Sequence, residues 1–300
     1  MSNLPARFRD KLVDVAQIQS LSPLESVISA NGLTSKTLFR LRDGETIETV
    51  LMCYEGRRTV CVSSQVGCAI GCPFCATGQS GFRRNLSAGE IIGQVLYFGR
   101  QLREESTPVT NVVLMGMGEP LANYEATWQA IQTLHDRRGL GLGARRFTIS
   151  TVGLVPGIRR LAREKVMVGL AVSLHAADDA LRNRLVPVNK RYPIGKLIEA
   201  CRDYVQHTGR RVSFEYALIE GVNDAHEQAR KLGRLLSGVL CHVNLIPLNA
   251  TAECNYRPSS RERIQAFRRV LNRMGVTNTV RLARGIDIQA GCGQLRVRPG

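Results

Sequence analysis

The chain has no stretch of eighteen apolar residues, so no segment of it is long enough to cross a bilayer as a helix. Its opening residues, MSNLPARFRDKL, lack the apolar run that a secretion signal requires, and a cytoplasmic address is the expectation. Low-complexity tracts are missing too, and at 44% hydrophobic and 22% charged the composition is that of a globular protein. Acidic residues are scarce: 25 Asp and Glu face 41 Lys and Arg, for a net charge of +16. Arginines recur in pairs, at Arg83-Arg84, Arg145-Arg146, Arg159-Arg160, Arg210-Arg211 and Arg268-Arg269, with Arg296 and Arg298 near the end. Such a potential attracts phosphates, so a polyanion is the expected partner, against the plainer alternative of an inert basic surface. Charge alone does not separate RNA from DNA. The nine cysteines are an odd number, which in a reducing compartment disfavours a disulfide framework and favours metal or thiol chemistry.

Three hundred residues suffice for one large domain or two smaller ones. Residues 1–35 predict one helix, from Pro5 to about Val15, and then a polar stretch. Residues 36–58 read as a β-hairpin with Asp43-Gly44 at the turn. From residue 59 to 300 the rhythm changes: six β-branched runs, 59–64, 109–116, 146–153, 166–176, 211–219 and 241–249, alternate with helical segments. The helix after the first run is signalled by Ser87 and Glu90 as a capping box, with Ile91, Ile92, Val95, Leu96 and Leu102 on one face. Six strand–helix units predict an α/β fold with a parallel sheet curled into a partial (βα)6 barrel. Ligands of such sheets bind at the carboxyl ends of the strands, in the loops.

The loop after the first of these strands is CVSSQVGCAIGCPFCATG, residues 61–78, with Cys68, Cys72 and Cys75 spaced Cys-x3-Cys-x2-Cys. One reading is a zinc site completed by Cys61 or a distant residue. The other is a 4Fe–4S cluster, normally held by four thiolates. With three thiolates clustered, one iron would stay open to a small molecule.

This loop, with Phe74 before its last cysteine, resembles the signature of radical S-adenosylmethionine enzymes, in which the methionine moiety completes the fourth iron. From about Asn3 to Leu295 the chain further resembles the RlmN/Cfr family of radical methyltransferases acting on adenine in RNA, most like its C2 branch. The resemblance runs through GMGEPLAN (116–123), STVGLVPGIRRLA (150–162), VSLHA (172–176), VPVNKRYPI (186–194), NLIPLN (244–249) and RGIDIQAGCGQL (284–295). It implies that residues 1–35 are the remnant of a helical accessory domain. It also implies a 4Fe–4S cluster on Cys68, Cys72 and Cys75, with adenosylmethionine held by Gly118, Glu119, Ser150, Ser173, Leu174, His175 and Asn249. By themselves these residues read more blandly: Gly118-Glu119 as a turn, His175 as a core histidine, Asn249 as a turn residue.

Cys292, flanked by Gly291 and Gly293, reads alone as a small buried hydrophobe. The resemblance makes it the thiol that takes a methyl from one adenosylmethionine. The adenosyl radical from a second one then activates that methyl for addition to the adenine ring. It makes Cys61 the thiol that releases the adduct through a transient disulfide with Cys292, and Glu48, otherwise an exposed strand glutamate, the proton acceptor. Cys53, Cys201, Cys241 and Cys254 match no role and read as structural. Gln289 and Gly291 depart from the family's usual Asp and Ala. Pro120 and Pro247 resemble the branch that methylates C2; Gly285 to Ile288 and Leu96 to Phe98 resemble the branch that methylates C8. The expectation is C2 methylation of an adenosine in 23S ribosomal RNA, with a tRNA adenosine as second substrate and C8 methylation as the alternative. The implied partners are the RNA and an electron donor such as flavodoxin or ferredoxin, with no membrane, for a monomeric enzyme. From another class, a non-catalytic, zinc-stabilised RNA-binding protein is the competing reading.

Overall fold

The computed structural model describes residues 4–15, 21–249, 251, 254–281 and 284–298. Asn3, where the resemblance begins, lies outside them. The first helix, α1 (Ala6–Val15), is where the sequence predicts it. The polar stretch after it contains a strand, β1 (Leu21–Ile28), whose backbone pairs with the next strand while most of its side chains face outward. Alternation on the exposed face of an edge strand is too polar to read as a strand by itself. Strands β2 (Thr34–Leu41) and β3 (Thr46–Tyr54) form the expected hairpin, with Gly44 at φ +85° in the turn. Strand β4 (Arg57–Cys61) continues the antiparallel meander and is also the first strand of the barrel.

A two-stranded ribbon, β5 (Gln65–Gly67) and β6 (Phe82–Asn85), closes off the cysteine loop, within which lies a single turn, α2 (Ala76–Gln79). Gly67 has φ +72°, and a Cβ there would lie 1.8 Å from the Gly81 carbonyl oxygen, so the base of the loop tolerates no side chain. Helix α3 (Ala88–Glu104) begins with the predicted capping box, and Ile91, Val95 and Leu102 are buried while Ile92 and Leu96 sit at the margin. The remaining units are β7 (Asn111–Leu114) with α4 (Tyr124–His135), β8 (Phe147–Thr151) with α5 (Val155–Leu161), and β9 (Gly169–Ser173) with α6 (Asp179–Leu185) and α7 (Ile194–Thr208). They end with β10 (Val212–Leu218) and α8 (His226–Leu235), then β11 (Cys241–Pro247), α9 (Arg261–Arg273) and β12 (Asn278–Val280).

Strands β4, β7, β8, β9, β10, β11 and β12 are consecutive and parallel, so the six predicted units stand in the predicted order with one short strand added. Together with β1–β3 they make one ten-stranded sheet. Among the described residues no ladder joins β1 to β12, and the barrel is open on that side. Residues 284–298 cross the opening: Asp287 Oδ2 accepts from Ala30 N, Gln289 O from Lys36 Nζ, Glu48 Oε2 from Arg296 N, and Thr46 Oγ1 from Arg298 N. The core runs between sheet and helices, around Val60, Phe147, Val172, Phe214, Val243 and Phe267, which are sealed from solvent. No helix among the described residues is long and apolar enough to cross a membrane.

Candidate active site

The carboxyl ends of the parallel strands open onto a cavity of about 160 Å3. Cys68, Cys72 and Cys75 line it, together with Gly118, Glu119, Ser150, Ser173, His175, Asn249 and Cys292. The loop's shape is fixed by its own backbone: Cys68 N donates to Gly81 O at 2.8 Å and Cys75 N to Cys72 O at 3.1 Å. Burial pushes the Cys68 thiol up to about 12 and Cys72 well above its usual range, so these sulfurs need a positive charge beside them to persist as thiolates. Iron supplies such a charge. Among the described residues no three His, Cys, Asp or Glu side chains converge on a point that one metal ion could occupy. Three thiols from one loop, all on the cavity wall, are the donor set that a 4Fe–4S cluster with one open iron would use.

Glu119 is fully buried at the start of the turn after β7. Its Oε1 accepts from Leu121 N at 3.0 Å and its Oε2 from Val152 N at 2.8 Å. Desolvation nevertheless raises its pKa to about 7. No cation is paired with it among the described residues. A carboxylate already oriented by two backbone donors, on a cavity wall and without a counter-charge, fits an incoming ammonium group such as that of adenosylmethionine. Gly118 is on the cavity wall at φ +99°, and a Cβ there would lie 2.5 Å from the Gln65 Cβ, so the position has room for Gln65 only without a side chain of its own. Gln65 Oε1 in turn accepts from Glu119 N at 2.8 Å.

His175 follows β9 with φ +56°, a left-handed conformation uncommon for histidine outside special sites. Its Nδ1 accepts from Ala217 N at 3.0 Å, which leaves the proton on Nε2. Burial, aided by the Arg182 charge, lowers its pKa to about 3, and the ring stays neutral. The imidazole meets the Phe74 ring edge-on at 4.9 Å, tying strand β9 to the cysteine loop. Leu174 is sealed in the core, and its side chain is not part of the cavity wall. Arg182, which carries no sequence signal, explains why these strand ends hold together. Its guanidinium is fully buried and donates to the carbonyls of Val152, Ser173 and Leu174.

The Cys292 loop is docked onto the cysteine loop from across the chain. Gly293 O accepts from Ala76 N at 2.8 Å and Leu295 O from Thr77 Oγ1 at 2.6 Å. Asn249 Nδ2 donates to Cys292 O at 3.0 Å, and a Cβ on Gly291 would lie 2.6 Å from that nitrogen, so this departure to glycine makes room for Asn249. Cys292 is exposed to the cavity. Cys61, at the end of β4, is buried; burial first, then the Cys292 charge, push its thiol up to about 12. Both thiols are free in this structure.

Glu48 is the residue whose surroundings differ most from a surface strand. It is fully buried, and it lies outside the cavity wall. Lys36 Nζ is 3.0 Å and Arg298 Nε 3.2 Å from its Oε1, and Oε2 accepts from Arg296 N at 3.0 Å. The two cations meet Oε1 as ion pairs without hydrogen-bond geometry. Two of the five arginine pairs are likewise engaged within the fold: Arg83 with Glu45, Arg84 with Asp43 and Glu90, Arg159 with Glu199 and Asp203, and Arg160 with Glu125. Two cavity residues outside the expected set are Glu215 and Arg281.

A parallel, open barrel with three cysteines at this spacing in the loop after its first strand defines a radical S-adenosylmethionine enzyme. The radical SAM superfamily model accordingly matches residues 62–233. A dual-specificity RNA methyltransferase RlmN 1 from Myxococcus xanthus is 55% identical over 268 residues, 89% of this chain and 75% of that protein. A probable dual-specificity RNA methyltransferase RlmN from Desulforudis audaxviator is 53% identical over 298 residues, 99% of this chain and 93% of its own length. The crystal structure of a radical SAM methyltransferase from Sphaerobacter thermophilus superposes with a TM-score of 0.96 at 56% identity, covering 98% of this chain and 86% of that one. The chain belongs to the RlmN family of radical SAM RNA methyltransferases. An enzyme family does not accommodate the non-catalytic zinc protein that the cysteine spacing also allowed.

Proposed function

We propose that the enzyme methylates carbon C2 of an adenosine in 23S ribosomal RNA, with a tRNA adenosine as second substrate, in the cytoplasm and as a monomer. The dual-specificity names of its relatives support two RNA substrates, and an electron donor such as flavodoxin or ferredoxin is the reductant this chemistry calls for. The observation that carries the reading is the placement of Cys292 on the same cavity wall as the three loop cysteines, linked to it by Asn249. Cys68, Cys72 and Cys75 hold a 4Fe–4S cluster. Glu119 takes the ammonium of adenosylmethionine, and Gly118, Ser150, Ser173, the Leu174 backbone, His175 and Asn249 shape the rest of its site. Cluster and adenosylmethionine, when bound, supply methyl donation and hydrogen-atom abstraction.

The chain itself does the remainder. Cys292 carries the methyl as a thioether, and the methyl carbon then bonds the adenine ring, leaving protein and RNA covalently joined. Cys61 releases the product by closing a disulfide with Cys292, to be reopened by a thiol reductant. Glu48 takes the ring proton, which calls for Arg296 and Arg298 to release its carboxylate while Cys292 stays docked at the cavity.

Incubation of Cys61→Ala with labelled RNA is expected to stop at a protein–RNA crosslink that survives denaturing gels, while Cys292→Ala forms none. A crosslink in Cys292→Ala, or turnover by Cys61→Ala, overturns the assignment. Mass mapping of the modified RNA then names the ring carbon, and a product methylated at C8 would place the enzyme in the other branch.

A further inference from the structure

The end of β12 delivers a cation to the floor of the cavity. Arg281 N donates to Leu245 O at 2.8 Å, continuing the β11–β12 ladder by one residue, and the side chain enters the barrel. There its Nη1 lies 3.6 Å from Glu215 Oε2 and 4.0 Å from Met115 Sδ. At 3.6 Å the carboxylate is a counter-charge and not a hydrogen-bond partner, and Glu215 Oε2 makes no hydrogen bond. Glu215 is itself fixed: its Oε1 accepts from Asn244 Nδ2 at 2.8 Å, and Asn244 Oδ1 accepts from Thr279 Oγ1 at 3.1 Å, on the strand that carries Arg281. The four residues form a cross-strand frame over β10, β11 and β12 that holds a guanidinium in one place. Neither Glu215 nor Arg281 belongs to the cofactor contacts or to the thiol pair described above.

Both catalytic thiols lie in the field of this guanidinium. Cys292 shares the cavity wall with it, and Cys61 ends the strand next to Met115's own. The charges and titratable groups facing it are Glu215 from β10, Tyr54 from the end of β3, Cys61 from β4, and Cys292 from the C-terminal loop. Glu119, His175 and the three loop thiols share the same cavity. The Cys292 loop is tied to the cysteine loop through Gly293 and Leu295, leaving the Cys292 side chain to the cavity.

We propose that Arg281 is a positioning residue for the thiol chemistry: its guanidinium, framed by Glu215, Asn244 and Thr279, is the fixed counter-charge that stabilises the Cys292 thiolate. A thiolate, not a thiol, is the nucleophile that accepts a methyl cation equivalent, its proton leaving to solvent. Electrostatics point the same way: Cys292 is the largest influence raising the basicity of Arg281, and Arg281 opposes the rise at Cys61. The proposal builds on Cys292 as the methyl carrier, but its test does not need methyl transfer.

The test is the rate of Cys292 alkylation by iodoacetamide as a function of pH, followed by peptide mass spectrometry. It is run on the full chain purified without air and again on the cluster-free form, with Cys254 as an internal reference. In Arg281→Gln, Cys292 should react roughly tenfold more slowly near neutral pH, with the rate profile displaced upward by about one unit, while Cys254 is unchanged. Arg281→Lys, which keeps the charge, should restore most of the rate. An unshifted Cys292 profile in Arg281→Gln, or an equal shift in Arg281→Lys, overturns the proposal. If the profile shifts and the RNA crosslink of Cys61→Ala never forms, it is the role of Cys292 that fails and the coupling to Arg281 that stands.

Discussion

The two halves of the catalytic end are built in opposite ways. On one side, the cysteine loop is a local object: fourteen residues folded between the strands of a two-stranded ribbon, with Gly67 and Gly81 in contact at its base. On the other, the thiol side is assembled from chain ends. Glu48 meets Arg296 and Arg298, Cys61 feels the charge of Cys292, and Arg281 is framed by residues of three strands. The first needs only the pairing of β5 with β6. The second exists only when the C-terminal segment has closed the open side of the barrel.

Because of that division, the two sides are expected to fail separately. The largest effect is expected from Cys72→Ala, which should abolish bound iron and the absorption of an iron–sulfur protein purified without air, yet leave Cys292 alkylation intact. A full complement of iron in that variant would remove the cluster assignment.

Next comes the clasp. Lys36 and Glu48 are both buried, so Lys36→Met strands a carboxylate beside the half-exposed Arg298. The expected cost is about 3–5 kcal/mol in denaturant unfolding, the usual result of removing one partner of a buried pair. Arg298→Ala, whose side chain keeps some solvent, should cost about 1 kcal/mol or less. Any Lys36→Met protein that folds should still bind iron; loss of iron there would show that the sides are coupled.

The cofactor side is tested through pH, with a smaller effect than that of Lys36→Met. Glu119 has a folded pKa of about 7 against an ordinary 4.5, so the ligand-free folded state binds the extra proton and loses stability as pH rises from 4.5 to 7. His175, held near 3 against 6.5, acts in the opposite sense, gaining stability as pH rises through that range. Comparing wild type with Glu119→Gln isolates the first contribution. The variant should gain on the wild type by at most roughly 3 kcal/mol between those limits in thermal melts. A flat difference would mean that Glu119 is not buried without a counter-charge. Added adenosylmethionine should raise the wild-type melting temperature far more than the variant's.

The features readable in the sequence are those encoded at short range. The capping box at Ser87 and Glu90, the Asp43-Gly44 turn and the cysteine spacing each involve residues within a few positions of one another. The six parallel strands also declare themselves, because a sheet covered by helices on one face and filled on the other demands near-continuous β-branched runs. Strand β1 was not readable, since an edge strand with outward polar side chains lacks that demand. Glu48 shows the same limit at the site. Its neighbours in sequence, Ile47 and Thr49, say only that it lies on a strand, whereas its burial is set by Lys36 across the hairpin and by Arg298 some 250 positions away.

Sequence alone therefore determined the chemistry available: three clustered thiols, a solitary cysteine between glycines, and a basic chain. Tertiary structure decided which of these groups share a wall. It docked the Cys292 loop onto the cysteine loop, packed Gly118 against Gln65, sealed Leu174 into the core, and brought Arg281 to the cavity that Cys292 lines. Local patterns record what a residue needs from its nearest neighbours, but a field, a burial or a clasp is the sum over groups that only the closed barrel brings together.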